Sequence, residues 1–256
     1  MGAFMLGDEV IHDTEAHGNL TLGEMTAQSS NIGFAKLGMK IGADKMFSWA
    51  KRFGFGEATK IGLPGEDWGL LAKPRDSFSL SAFAFGQGVG VTAIQLASAY
   101  GAIANGGVLM RPYIVKEARD ARGSVRLSNR PKPVRRVVSG RVSRTLIEML
   151  EGVVTHGTGK AAAIPGYRVC GKTGTAQVSD SRGYLPDAAK LVTFVGFLPA
   201  EAPRILVLVA MDRPKYGSGG GVAGPVFKEI ALAAIRQAGI PASPGGMVAM
   251  ATERGN

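Results

Sequence analysis

Three strand-like runs close this chain, over residues 167–177, 190–198 and 204–211, and they constrain its fold more than any other feature. Their lengths and bounding turns read as strands, and their spacing permits antiparallel hairpins. An amphipathic helix follows over residues 225–238, and the periodicity upstream is helical. The sum is an α+β chain, with a helical portion first and then an antiparallel sheet carrying a terminal helix on one face. With 256 residues and 45% hydrophobic content, a sizeable core is within reach.

The helical portion is punctuated by caps. Thr21 and Glu24 form a capping box, predicting a short helix that ends near Ser29-Ser30-Asn31. Phe34, Leu37 and Met39 predict that helix resumes afterwards, and residues 44–53 predict another, stopped by Gly54. Residues 1–20 read as an irregular lead-in and residues 54–81 as loop-rich. Thr92 and Gln95 make a second capping box, opening a helix through Ala104, with a strand-like stretch over 108–115 beyond it. Residues 119–138 read as an exposed hairpin or loop. Ser139 is the candidate N-cap of a helix whose apolar face is Val142, Leu146, Met149, Leu150 and Val153. Residues 1–242 are assigned to one domain, and residues 243–256 to a flexible tail.

Charge and composition exclude several functions. The net charge is +10, with basic residues concentrated between Arg111 and Arg144. No stacking aromatics interleave with them, so the region reads as a solvated cationic face, and nucleic acid is not an expected partner. Residues 77–110 carry no charge, but Gln87, Thr92, Gln95, Asn105 and several glycines and serines argue against a membrane-spanning helix. The start of the chain shows no secretory signal pattern. One cysteine, Cys170, allows no internal disulfide, and it reads as a small buried side chain on the same strand face as Lys172. His12, His17 and His156 are scattered, so neither a metal site nor a cofactor is expected.

Two short motifs can carry chemistry. Lys172-Thr173-Gly174-Thr175 falls inside a strand candidate. There an ammonium can project into a cleft, a threonine hydroxyl can donate to a carboxylate, and glycine lets a ligand approach the backbone. Ser29-Ser30-Asn31 falls at a helix break. The Ser29 hydroxyl can relay a proton, and the Asn31 amide can both donate and accept. Taken singly, the first is equally a solubilised edge strand and the second a helix cap.

Together and in this order, the motifs fit S-x-N and K-T-G, signatures of penicillin-binding proteins and serine β-lactamases. The surrounding residues extend the match. Gln28-Ser29-Ser30-Asn31-Ile32-Gly33, Phe53-Gly54-Phe55-Gly56 and Ile61-Gly62-Leu63-Pro64-Gly65-Glu66 are followed by Phe85-Gly86-Gln87-Gly88 and Ala104-Asn105-Gly106-Gly107. Gly157-Thr158-Gly159-Lys160 then precedes Gly171-Lys172-Thr173-Gly174-Thr175-Ala176, with Phe194-Val195-Gly196-Phe197 beyond. Over residues 18–240 the chain resembles class B penicillin-binding proteins, the peptidoglycan D,D-transpeptidases, most closely the division-specific type.

The resemblance implies a β-lactamase/transpeptidase-like fold, incomplete at its N-terminus, in which an antiparallel sheet with flanking helices is joined by a helical subdomain. It implies catalytic roles for Ser29, Asn31 and Lys172, and substrate binding by Thr173, Gly174 and Thr175, with the Thr175 N–H as one oxyanion donor. Its substrates would be D-Ala-D-Ala stem peptides, with β-lactams as mimics. Its partners would be divisome membrane proteins, including a lipid II polymerase. The parent protein would be membrane-anchored, with this domain on the outer side.

One departure matters. The family's nucleophilic serine and its lysine, S-x-x-K, lie before S-x-N, and no such string precedes Ser29 here. Ser48-Trp49-Ala50-Lys51 has the spelling but falls after S-x-N inside a predicted helix, where serine and lysine three apart are ordinary. The chain alone is therefore expected to be inactive. A serine β-lactamase or D,D-carboxypeptidase is disfavoured by the long match after S-x-N, especially from Gln87 to Gly107, and a non-catalytic cell-wall or divisome binding module remains as the alternative.

Overall fold

The computed structural model describes residues 2–7, 9–177, 179–180, 183–184, 190–215 and 217–244. The chain opens with a hairpin of β1 (Ala3–Leu6) and β2 (Glu9–His12), registered Ala3 to His12 and Leu6 to Glu9. The lead-in that the sequence suggested as irregular thus holds a hairpin over residues 3–12 and is irregular only over 13–20; Gly7, at φ 62, adopts the left-handed conformation where the chain leaves β1. Three helices follow, α1 (Leu22–Gln28), α2 (Asn31–Ile41) and α3 (Ala43–Arg52). The Thr21 box forms as expected, with Thr21 N donating to Glu24 Oε2 at 2.8 Å and Glu24 N donating to Thr21 Oγ1 at 3.3 Å.

The next segment is more ordered than its loop-like composition suggests. It holds β3 (Leu70–Leu71) and α4 (Ser77–Ala84) before β4 (Val89–Gly90), which pairs with β3. Asp76 caps α4 by accepting from Ser79 N at 2.7 Å, a serine-for-glutamate version of the box. α5 (Ala93–Ala104) opens on the Thr92–Gln95 box. Gln95 is 1% exposed, and its Nε2 donates to the carbonyls of Glu57 and Trp68 at 2.9 and 2.8 Å. One helix-start residue therefore also anchors the long connection before it.

β5 (Val108–Arg111) is shorter than the predicted strand and pairs with β8 (Lys132–Arg136); β6 (Glu117–Arg119) and β7 (Val125–Ser128) make a hairpin between them. Every residue of β6 and β7 is exposed, in keeping with the solvated cationic face. α6 (Gly140–Thr155) starts at the Ser139 cap. Its expected face shifts at the first turn. Val142 is 44% exposed, whereas Ser143 is buried and donates to Ile103 O at 2.6 Å, tying α6 to α5.

The sheet is antiparallel and three-stranded in the order β13-β12-β9: β9 (Cys170–Gln177), β12 (Lys190–Leu198) and β13 (Ile205–Asp212). A further pair, β10 (Ser179–Asp180) and β11 (Gly183–Tyr184), lies between β9 and β12 in sequence. β12 is central and buried on both faces. On one side Phe194 packs with Phe227 of α7 (Gly224–Ala238), ring centroids 4.8 Å apart, in a cluster with Val209, Ala231 and Ile235. On the other, Phe197 packs with Cys170, Leu150 and Ala200. Burying a phenylalanine contributes roughly 1.5–3 kcal/mol, so the two faces of β12 hold the helices to the sheet. Ser243, assigned to the tail, is buried and accepts from Arg168 N at 3.0 Å; residues 245–256 lie outside the described residues.

Candidate functional site

The two sequence motifs meet. Lys172, on edge strand β9, reaches across to the break between α1 and α2, and its Nζ donates to Ser29 Oγ at 2.7 Å. Nζ also donates to Thr173 O at 3.1 Å and to Thr173 Oγ1 at 3.4 Å. No carboxylate among the described residues pairs with this ammonium. Burial therefore dominates, and it lowers the Lys172 pKa from 10.5 to about 8.

Ser29 is the C-cap of α1, in the left-handed region at φ 57 and ψ 44. This conformation turns the chain so that Ser30 can cap α2, accepting from Gly33 N at 2.9 Å. The capping reading of Ser29-Ser30-Asn31 falls to the middle serine, while Ser29 and Asn31 line the hollow described below. Asn31, the first residue of α2, donates from Nδ2 to His12 O at 3.1 Å.

The Lys-Thr-Gly strand is held from behind. Gly174 sits opposite Thr193 of β12, and a Cβ at Gly174 would come within 2.3 Å of Thr193 Oγ1, so a larger residue would force that hydroxyl to move. A single turn of π-helix, Gly219–Ala223, lies against the strand. A Cβ on Gly219 would meet Gly174 O at 2.5 Å, and one on Gly220 would meet Thr158 O at 2.2 Å. Gly219 N donates to Thr175 Oγ1 at 3.1 Å, so the Thr175 hydroxyl hydrogen is free to point elsewhere. Thr158 shares a hydrogen bond with Thr173 through their Oγ1 atoms at 2.9 Å, and its N–H donates to Ala27 O at 3.0 Å. It thereby links α1 to the strand. Sequence reasoning noted Thr158 only within a matching string; no local pattern marks it as the bridge.

In front of these groups lies a hollow of about 750 Å³. Ser29, Asn31, Lys172, Thr173, Gly174 and Thr175 all line it, so all six predicted site residues come together. Phe34, Phe83, Tyr100, Ile103, Leu146 and Met149 add a largely apolar part of the lining. Thr14, Glu15 and His17, from the segment after β2, also reach it, and sequence reasoning missed them. Cys170 is buried beside α6, with Sγ donating to Ile147 O at 3.4 Å, and burial pushes its thiol up to about 12. A thiol so rarely ionised is no nucleophile. Ser48 and Lys51 are exposed on α3 and do not line the hollow. Among the described residues, no group of three His, Cys, Asp or Glu could hold a metal, and no helix is long and apolar enough to cross a membrane.

Chemically, the site offers one buried cation, the hydroxyls of Ser29, Thr158, Thr173 and Thr175, and the Asn31 amide, all lining an open hollow. A cation with hydroxyls can bind a carboxylate and pass protons between neighbours. The strand and the helix break brought together here carry the K-T-G and S-x-N signatures of the penicillin-binding proteins and serine β-lactamases. Within that class, residues 6–232 match the penicillin binding protein transpeptidase domain, and the chain belongs to this family. It is 36% identical over 259 residues to the penicillin-binding protein PbpB of Mycolicibacterium smegmatis, covering 95% of this chain and 40% of that protein. It is 40% identical over 230 residues to the stage V sporulation protein D of Bacillus subtilis, covering 88% of this chain and 35% of that one. Among solved structures, penicillin binding protein 3 from Mycobacterium tuberculosis, complexed with ampicillin, superposes with a TM-score of 0.86 at 33% identity. That match covers 95% of this chain and 57% of the other. The fold is that of the β-lactamase/transpeptidase type, as the resemblance implied.

Proposed function

We propose that this chain forms the substrate-binding wall of a peptidoglycan D,D-transpeptidase that cross-links stem peptides during septal wall synthesis. The observation that carries the reading is the 2.7 Å bond between Lys172 Nζ and Ser29 Oγ, which unites two motifs 143 residues apart. A segment bearing S-x-x-K would seat at the hollow and present its serine to these groups. That serine would attack the D-Ala-D-Ala carbonyl, forming an ester and releasing the terminal D-Ala, while the S-x-x-K lysine takes its proton. Ser29 would pass a proton to the leaving amine, Asn31 would hold the substrate amide, and Thr173 and Thr175 would bind the terminal carboxylate. Gly174 would let the substrate lie along the strand. Lys172, protonated in most molecules at neutral pH, would keep the hydroxyl chain polarised. The Thr175 N–H would serve the oxyanion, a contact whose loss costs about a hundred- to a thousandfold in rate. An amine from a neighbouring stem would then attack the ester and free the serine.

β-Lactams would enter as mimics of the dipeptide, a reading supported by the ampicillin complex of the Mycobacterium tuberculosis relative. The parent protein would be anchored in the cell membrane with this domain outside, working with divisome membrane proteins that include a lipid II polymerase. The test is labelling with a fluorescent penicillin followed by mass analysis. The chain alone should carry no stable adduct. Joined to an upstream S-x-x-K segment it should be acylated on that serine, and Lys172→Ala should slow acylation severely. An adduct on the chain alone, at Ser48 above all, would refute the placing of the nucleophile. Failure of the joined protein to acylate while it still retains peptidoglycan would favour a non-catalytic binding module.

A further inference from the structure

A left-handed serine does not hold itself in place. At φ 57, Ser29 occupies a region that a residue with a Cβ adopts reluctantly, and its hydroxyl must still meet Lys172. Part of the restraint is the α1 cap itself, where Ser29 N donates to Thr26 O at 3.3 Å and Ser30 N to Met25 O at 3.1 Å; the rest comes from outside the two helices. Asp13, just past the end of β2, is 6% exposed and aims its carboxylate at the break. Its Oδ2 accepts from Ser30 Oγ at 2.6 Å and its Oδ1 accepts from Ile32 N at 3.0 Å. The adjoining His12 carbonyl accepts from the Asn31 side chain. The end of one strand thus grips all three residues that follow Ser29.

Ser30 can cap α2 without Asp13, since its oxygen accepts from Gly33 N. What Asp13 adds is direction. It takes the Ser30 hydroxyl hydrogen and one free N–H of the first helical turn, fixing how α2 leaves the break. Charge-assisted bonds of this kind are short and orienting, and a carboxylate at a helix N-terminus is favoured by the dipole. No cation among the described residues is paired with Asp13, so its charge is spent on these two donors.

We propose that Asp13 is the positioning residue of this site, orienting Ser29 and Asn31 through Ser30 and the first turn of α2 without touching substrate. The inference rests on the reading of Ser29, Asn31 and Lys172 as the reaction's groups, and the experiment separates the two. In the chain joined to an S-x-x-K segment, Asp13→Asn should lower the limiting acylation rate constant about tenfold or more. The penicillin concentration at half-saturation and the melting temperature should stay close to the parent's. If Lys172→Ala slows acylation but Asp13→Asn does not, the role of Asp13 is overturned and the site reading stands. If neither slows it, both fall. A second measurement needs only the chain itself. The Ser29 13Cα and 13Cβ shifts, which report its backbone angles, should be left-handed in the parent and move toward averaged values in Asp13→Ala. Unchanged shifts in a folded Asp13→Ala protein would overturn the proposal independently of any activity.

Discussion

Replacing Lys172 by methionine removes a charge and keeps most of the volume, and its effect on stability should depend on pH in a definite direction. Burial places the folded-state pKa near 8 against an ordinary 10.5. Between those values the folded protein has released a proton that the unfolded chain still binds, so stability rises with pH across that window. Each pH unit is worth about 1.4 kcal/mol, which sets a ceiling of about 3 kcal/mol, reduced by whatever water the open hollow admits. The methionine variant lacks this contribution. Urea unfolding of both proteins at pH 7.5, 8.5, 9.5 and 10.5 should therefore show the parent gaining about 1–3 kcal/mol relative to Lys172→Met. Groups that titrate in both proteins cancel in the difference. Parallel stability curves would refute burial as the controlling influence on Lys172. A drift the other way would mean that the ammonium has a stabilising partner in the folded state.

Phe194→Ala should cost about 3–5 kcal/mol in urea unfolding, since the ring is fully buried against Phe227, whereas the exposed Val142→Thr should change stability by less than about 1 kcal/mol. Equal costs would mean that α7 does not depend on the centre of β12. Cys170 should resist a thiol reagent at pH 8 in the native protein and react once the chain is unfolded in urea, because burial holds its pKa near 12. Rapid native labelling would show that the α6 side of β9 is open.

Much of this molecule was legible before its structure. The capping boxes at Thr21 and Thr92, the Ser139 cap and the strands of the sheet follow local rules that tertiary packing did not overturn. The six residues that line the hollow were singled out because two short strings gained meaning from their order. The elements missed share a cause. α4 opens with serines alternating with apolar residues and has weak helical periodicity, and its cap uses Ser79 where a glutamate would have announced it. The β1–β2 hairpin is four residues a side, too short for alternation to stand out. Asp13 and Thr158 act through contacts with residues 17 and 131 positions away, and no local pattern encodes a distant acceptor.

The bond between Ser29 and Lys172 also speaks to the order in which the molecule assembles. Its partners are separated by 143 residues, so chain closure over that distance must come before the bond can form. Local helices and the β12–β13 hairpin can organise early, yet none of them alone presents both motifs. The hydroxyl that meets the ammonium comes from the first helices and the strand from the sheet that follows α6. A probe sensitive to this contact should consequently report chain closure rather than local helix formation, and a molecule without that closure does not bring the two motifs together.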